Sequence, residues 1–173
     1  VSARCHPDRV HNASEAERRT AHDRYVELQA AYNRLRDPRQ RLAHLLEVET
    51  GTRPPELQSV PSDLGDLFLE ISRLCRETDG FLTEKSSAAS PMLKVSFFSR
   101  SHEWSSALME AQKQIQARRE TLLGELRAID ESWDGALPNS LQREQLLKQL
   151  QQLLPLLSYF GRWQDELQER ITK

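Results

Sequence analysis

Apolar residues recur at steps of three and four along most of this 173-residue chain, and this spacing constrains its fold more than any other feature. Such steps place the apolar side chains on one stripe of an α-helix. The chain also contains only 6 Gly, which favours long helices. No apolar run approaches the roughly 18 residues that a membrane span needs. The sequence therefore predicts an all-α protein that makes no membrane contact.

The first predicted helix runs over residues 14–36. Ser14 and Glu17 have the spacing of a capping box at its start. Its apolar stripe consists of Ala21, Tyr25, Leu28, Tyr32 and Leu35. The stripe is longer than one short neighbouring helix can cover, so we expect further helices upstream of His6 and a chain that begins inside a domain.

A second, short helix is predicted directly after the first. Asp37 can cap it, and Pro38 suits its first position, where the missing N–H costs nothing. Its inward residues are expected to be Leu42, Leu45 and Leu46. Residues 1–49 would thus form one module that ends in a helical hairpin.

Residues 50–62 contain three prolines and no long apolar run, which predicts a linker. Residues 63–173 would then form a second module of three antiparallel helices. These helices are expected over about 63–85, from about 101 with Ser101 as its cap, and from about 139 onward. The Ser-rich segment 86–101 contains Pro91 and is predicted to be an exposed loop.

A distinct motif, His6-Pro7-Asp8, lies near the start of the chain, with Arg4 and Arg9 on either side. Pro7 fixes its own φ and biases His6 toward extended geometry, so the loop is ordered before it docks. Asp8 offers two acceptor oxygens that suit a bidentate arginine of a partner. Residues 1–46 carry nine Lys or Arg against six Asp or Glu, a surplus that favours an acidic protein surface as the partner.

Residues 3–46 resemble the second half of a J domain, the module of the DnaJ co-chaperone family. The matching features are His6-Pro7-Asp8, the amphipathic helix after it, Tyr32-x-x-Leu35, and Asp37-Pro38 with Arg41. More narrowly, the chain is similar to the HscB-like co-chaperones of iron–sulfur cluster assembly. The further features are Arg41-x-x-x-Leu45-Leu46, Phe68-Leu69-Glu70-Ile71, Trp133-Asp134 and Tyr159-Phe160-x-Arg162-Trp163.

The resemblance implies an all-α fold in which a truncated J-domain hairpin is joined to an antiparallel three-helix bundle. It implies that His6, Pro7, Asp8, Arg4 and Arg9 dock on a DnaK-type, HscA-like chaperone and stimulate its ATPase. The bundle would bind the client, an IscU-type cluster scaffold. The chain itself would be a co-chaperone and not an enzyme.

Phe68 and Leu69 are the expected apolar anchors for that client, although apolar residues at such positions are as often core residues. Ile71 favours the core. Arg73 and Arg76 stand where the family has glutamates, which motivates an alternative: a J-domain co-chaperone with a different protein client. A third alternative is a helical scaffolding protein with a relict J segment.

Several classes of function are not expected. No nucleophile–base pair, phosphate loop or catalytic carboxylate pair is present, so no catalytic residue and no cofactor are predicted. Cys5 and Cys75 lie seventy residues apart, which fits neither a metal motif nor a disulfide framework and favours a reducing cytoplasm. The surplus of three positive charges in residues 1–46 is too small to indicate nucleic acid.

Overall fold

The computed structural model describes residues 14–55, 60–87 and 91–173, the last with side chains from residue 97 onward. Every regular element in these ranges is helical, which confirms the all-α prediction. The helices are α1 (Glu15–Arg36), α2 (Pro38–Thr50), α3 (Gly65–Ser87), α4 (Pro91–Trp133) and α5 (Leu141–Ile171), with a 3-10 turn at Ser62–Leu64. The chain divides into two units, Val1–Pro54 and Pro55–Lys173.

The ends of α1 and α2 follow the predicted capping chemistry. The Ser14 hydroxyl accepts from the backbone N–H of Glu17, and the Glu17 carboxylate accepts from the backbone N–H of Ser14 at 2.9 Å. The Ser14 hydroxyl also donates to the Glu17 carboxylate at 2.7 Å, and this hydrogen bond, followed by the one from the Ser14 backbone N–H, holds the pKa of Glu17 below its ordinary value. The Asp37 carboxylate accepts from the Gln40 backbone N–H at 2.8 Å, and Pro38 occupies the first turn of α2. The two caps fix where each helix of the hairpin begins.

The hairpin of α1 and α2 is unevenly buried. On α2, Leu42 and Leu46 are buried. On α1 no residue is buried, and Tyr32 and Leu35 are more than half exposed. The apolar stripe predicted for α1 is therefore present as a helix face that the described residues leave largely open.

In the second unit, α4 and α5 form the main hairpin and α3 packs against both. Ile115 of α4 and Leu167 of α5 are fully buried. Next to this pair, the Gln112 Nε2 donates to the Gln168 Oε1 at 2.8 Å, and the Gln164 Nε2 donates to the Gln116 Oε1. Both amide pairs cross the seam in the same antiparallel register.

The prediction of an exposed loop over residues 86–101 is wrong for the described residues 86–87 and 91–101, which are helical, and Ser101 lies inside α4 instead of capping it. Helix α4 already begins at Pro91, a position where proline costs no hydrogen bond. The ring of Phe97 is buried and meets the ring of Phe81 edge-to-face at 5.8 Å. Arg100 lies over both rings, at 5.0 Å from Phe81 and 5.6 Å from Phe97, and pairs with Glu84. These contacts stabilise helix where Ser and Pro suggested a loop.

The turn between α4 and α5 is closed by one arginine. The Arg143 guanidinium lies 3.3 Å from the centroid of the Trp133 ring and donates to the Trp133 carbonyl at 3.0 Å. Ser140 caps α5 by accepting from the Arg143 backbone N–H. Asn139 before it takes a left-handed φ of 62°, which asparagine tolerates better than most residues. Helix α5 then continues through Pro155.

We predict that Leu167→Ala lowers the free energy of unfolding by about 2–5 kcal/mol, because the lost side chain leaves a cavity at the seam. The matched control is Leu141→Ala, whose leucine is 77% exposed and whose loss should change stability by no more than about 0.5 kcal/mol. Denaturant unfolding followed by tryptophan fluorescence measures both, since the chain's 3 Trp all lie in the second unit. Equal losses for the two variants would contradict the packing described for the seam.

Candidate partner-binding surface on α3

The residues predicted to bind a partner fall into two groups that the structure treats differently. Arg4, His6, Pro7, Asp8 and Arg9 lie outside the described residues. The predicted client-binding residues Phe68, Leu69, Arg73 and Arg76 lie on α3 and are all exposed. The four residues of the second group thus lie on one accessible helix, and their role in binding a client stays a prediction.

The inner side of α3 explains why the outer side is free. Its buried residues follow helical spacing and comprise Leu67, Ile71, Cys75, Thr78 and Phe81. The Thr78 hydroxyl is satisfied by donating to the Leu74 carbonyl at 2.8 Å. Burial raises the pKa of the Cys75 thiol, so that side chain stays neutral in the core. The helix is therefore held as a packed platform with one face toward α4 and α5.

Two ion pairs anchor this platform along its C-terminal half. Arg170 of α5 donates to both carboxylate oxygens of Asp79, at 2.9 and 2.7 Å. The hydrogen bond to Asp79 is the largest cause that raises the pKa of Arg170. Arg100 of α4 donates to both oxygens of Glu84, at 3.2 and 3.0 Å. Each pair joins α3 to a different helix, so together they resist rotation of α3 about its own axis.

Opposite the core, a line of residues points to solvent at steps of four, three and four. We call this line the outer stripe; it consists of Leu69, Arg73, Arg76 and Gly80. Leu69 is 65% exposed, whereas Ile71, two residues later, is 2% exposed. Phe68 lies at the edge of the stripe and is 37% exposed. Leu69 is thus not a core residue, and Ile71 is.

Carboxylates of Asp66, Glu70 and Glu77 lie beside the outer stripe, but none of them forms an ion pair with its arginines within the described part of the chain. Neither Arg73 nor Arg76 takes part in an ion pair or a hydrogen bond there. Asp79, one turn beyond Arg76, is engaged by Arg170. Glu77 lies one turn beyond Arg73 but in the less favourable order for a helical ion pair, with the base before the acid. Two guanidinium groups are therefore available beside an exposed leucine.

Gly80 is a member of the stripe that the sequence reasoning missed. A Cβ at Gly80 would meet nothing within 4 Å, and the residue has no positive φ. Neither packing nor backbone geometry thus requires glycine in the middle of α3, where it costs about 1 kcal/mol relative to alanine. An isolated Gly inside a helical pattern was the signal that could have identified it.

Other large apolar side chains are exposed, and they are Val26, Tyr32, Leu35, Val48, Phe98, Met109, Leu137 and Leu141. Among the described residues, no cluster of His, Cys, Asp and Glu could hold a metal ion. In the same ranges, no helix combines the length and apolar character required to cross a bilayer.

The chain was compared with protein-family models, with curated proteins and with solved structures, and none of them matches it. The site is therefore interpreted from its own residues and their geometry.

We predict that Gly80→Ala raises the free energy of unfolding by about 0.5–1 kcal/mol, because alanine lowers the entropy of the unfolded chain without meeting any neighbour. Gly124→Ala in α4 should behave alike, since the space there is also open. Gly51→Ala is the contrasting control, because its φ of 70° is left-handed and should make alanine destabilising by about 1 kcal/mol. Thermal unfolding followed by circular dichroism compares the three, and a destabilising Gly80→Ala would show that the fold does need this glycine.

Proposed function

We propose that this protein is a J-domain co-chaperone of the HscB-like kind, which docks on a DnaK-type ATPase and presents a protein client to it. The observation that carries the proposal is the His6-Pro7-Asp8 motif directly before a capped helical hairpin. The capping box at Ser14 and the Asp37 cap support it, because they start both helices where a J-domain hairpin requires them. The reaction, ATP hydrolysis, belongs to the partner.

In the proposed mechanism, the motif supplies docking free energy that favours the hydrolysis-competent state of the ATPase. Asp8 accepts a charge-assisted, bidentate hydrogen bond from an arginine of the partner. Pro7 restricts the loop so that less entropy is lost on binding. Arg4 and Arg9 steer the loop toward an acidic groove.

A row of arginines on the hairpin supports an acidic docking partner. The exposed residues of this row are Arg34, Arg36, Arg39 and Arg41. They surround the Asp37–Pro38 turn and carry one sign of charge. Such a row raises the association rate with an acidic surface and loses this effect as salt rises. We propose that it orients the ATPase on the hairpin.

The second unit would hold the client on the exposed face of α3. Leu69 and Phe68 supply apolar anchors of the kind that concentrate binding energy in interfaces. Joining this face covalently to the J segment raises the effective concentration of the client at the ATPase. An IscU-type cluster scaffold is the first candidate client. The unpaired Arg73 and Arg76 favour a second candidate, a protein client outside cluster assembly.

We further propose that the protein works in the reducing cytoplasm. Cys75 is a free, buried thiol whose raised pKa keeps it protonated and unreactive. It is therefore suited to act as an apolar core residue, which is compatible with a compartment that forms no disulfides.

The first test of this function is ATPase stimulation. With the protein in its full length, we expect Asp8→Asn to reduce stimulation of a DnaK-type chaperone by about tenfold, since one charge-assisted contact of about 1.5 kcal/mol is lost. Asp23→Asn, an exposed aspartate on α1, is the matched control and should stimulate normally. Both variants should unfold like the wild type, within about 0.5 kcal/mol.

The outcomes of this assay separate the alternatives. Stimulation that survives Asp8→Asn would refute docking through the motif. If neither the wild type nor the control stimulates any DnaK-type partner, the helical scaffolding function replaces the co-chaperone function.

The second test concerns the client. We expect an IscU-type scaffold to bind the wild type and to bind Leu69→Ala about tenfold more weakly, because the variant removes the exposed anchor. Leu137→Ala is the control, since Leu137 is 75% exposed but lies in the α4–α5 turn. Isothermal titration calorimetry measures all three. If the wild type does not bind the IscU-type scaffold, the second candidate, a protein client outside cluster assembly, replaces it.

A further inference from the structure

We infer that the outer stripe of α3 receives a single α-helix of the partner protein, that this helix is acidic, and that the two helices approach most closely at Gly80. The inference rests on the proposed client-binding role of α3 and specifies the chemistry of what binds there. Its three components are the spacing of the stripe, the open glycine and the unpaired arginines.

The spacing favours a helix as the bound element. Leu69, Arg73, Arg76 and Gly80 recur at steps of four, three and four, and Thr83 extends the line by three. All five residues are exposed on the side of α3 opposite its core. Residues at such steps form a straight seam along a helix, and a second helix can follow the same seam over several turns. From Leu69 to Gly80 the seam is about 16 Å long, at 1.5 Å per residue.

Gly80 determines where the partner backbone comes closest. The distance between two packed helices depends on the side chains at the point of contact and is shortest where those are smallest. Among the described residues, no atom lies within 4 Å of a Cβ built at Gly80. Gly65, Gly124 and Gly161 have equally open surroundings, and what distinguishes Gly80 is its place in line with an exposed leucine and two arginines, where a second backbone could pack against it.

The arginines determine the charge of the partner helix. Arg73 and Arg76 lie one turn apart, so carboxylates one turn apart on a facing helix can pair with both. Asp66, Glu70 and Glu77 line one edge of the stripe and would repel a polyanion such as nucleic acid. The partner helix that fits the outer stripe is therefore acidic opposite Arg73 and Arg76 and apolar opposite Leu69. Its basic or neutral residues would lie over the acidic edge.

The experiment uses two synthetic helical peptides of about 21 residues, three heptads each. Both carry leucine and glycine on the facing seam; one places glutamate and the other lysine at the remaining seam positions. Fluorescence anisotropy with the full chain should show the glutamate peptide binding about tenfold tighter than the lysine peptide at low salt. The preference should shrink as ionic strength rises.

Charge reversal locates the binding. Arg73→Glu with Arg76→Glu should reverse the preference between the two peptides. The matched control is Arg118→Glu with Arg127→Glu, two exposed arginines of α4, and it should leave the preference unchanged. Equal effects of the two double variants would overturn the inference, and so would equal binding of both peptides to the wild type.

Gly80→Leu tests the close approach separately. Leucine favours helix, and its Cβ would meet no described atom within 4 Å, so the fold should remain intact by circular dichroism while binding of the glutamate peptide weakens about tenfold. Gly124→Leu is the control and should bind normally. Unchanged binding by Gly80→Leu would refute contact at this residue. In the proposed function, ATPase stimulation depends on Asp8 and not on α3. If the protein binds the glutamate peptide but stimulates no DnaK-type ATPase, the co-chaperone function is refuted and the inference about the outer stripe is not.

Discussion

The buried seam between α4 and α5 is the constraint on which the second unit depends. Ile115 of α4 and Leu167 of α5 are both fully buried, and in the antiparallel register of the seam the Gln112 side chain donates to the Gln168 side chain. This register places Arg170 where it can bind both oxygens of Asp79. The rotation of α3, and with it the direction in which Leu69 points, therefore follows from a contact made between two other helices.

The sequence was sufficient for the fold class and for helix starts that depend on local chemistry. The capping box at Ser14 and the Asp37–Pro38 start involve residues three positions apart, so no knowledge of the tertiary structure was needed. The prediction for segment 86–101 failed because it depends on tertiary contacts and not on local chemistry. Its helix is stabilised by the contact of Phe97 with Phe81, sixteen residues earlier, and no local pattern reveals that pairing.

The same distinction applies to the candidate site. In Phe68-Leu69-Glu70-Ile71, Leu69 and Ile71 lie about 200° apart around a helix, so they cannot share one inward stripe, but this short segment alone does not say which of the two faces the core. Docking of α3 on its neighbours resolves this, burying Ile71 and exposing Leu69. Gly80 was missed because a glycine is conspicuous only once its surroundings are known to be empty.

The contacts that hold α3 in place also set the charge of its outer face. Asp79 lies three residues after Arg76, a spacing at which the two side chains could pair on an isolated helix. In the folded unit, Arg170 binds both oxygens of Asp79, so this carboxylate is not available to pair with Arg76. The outer stripe is consequently positive although the chain as a whole carries a net charge of −2. Folding thus leaves Arg73 and Arg76 without an ion pair among the described residues, on a face whose edge carries the carboxylates of Asp66, Glu70 and Glu77.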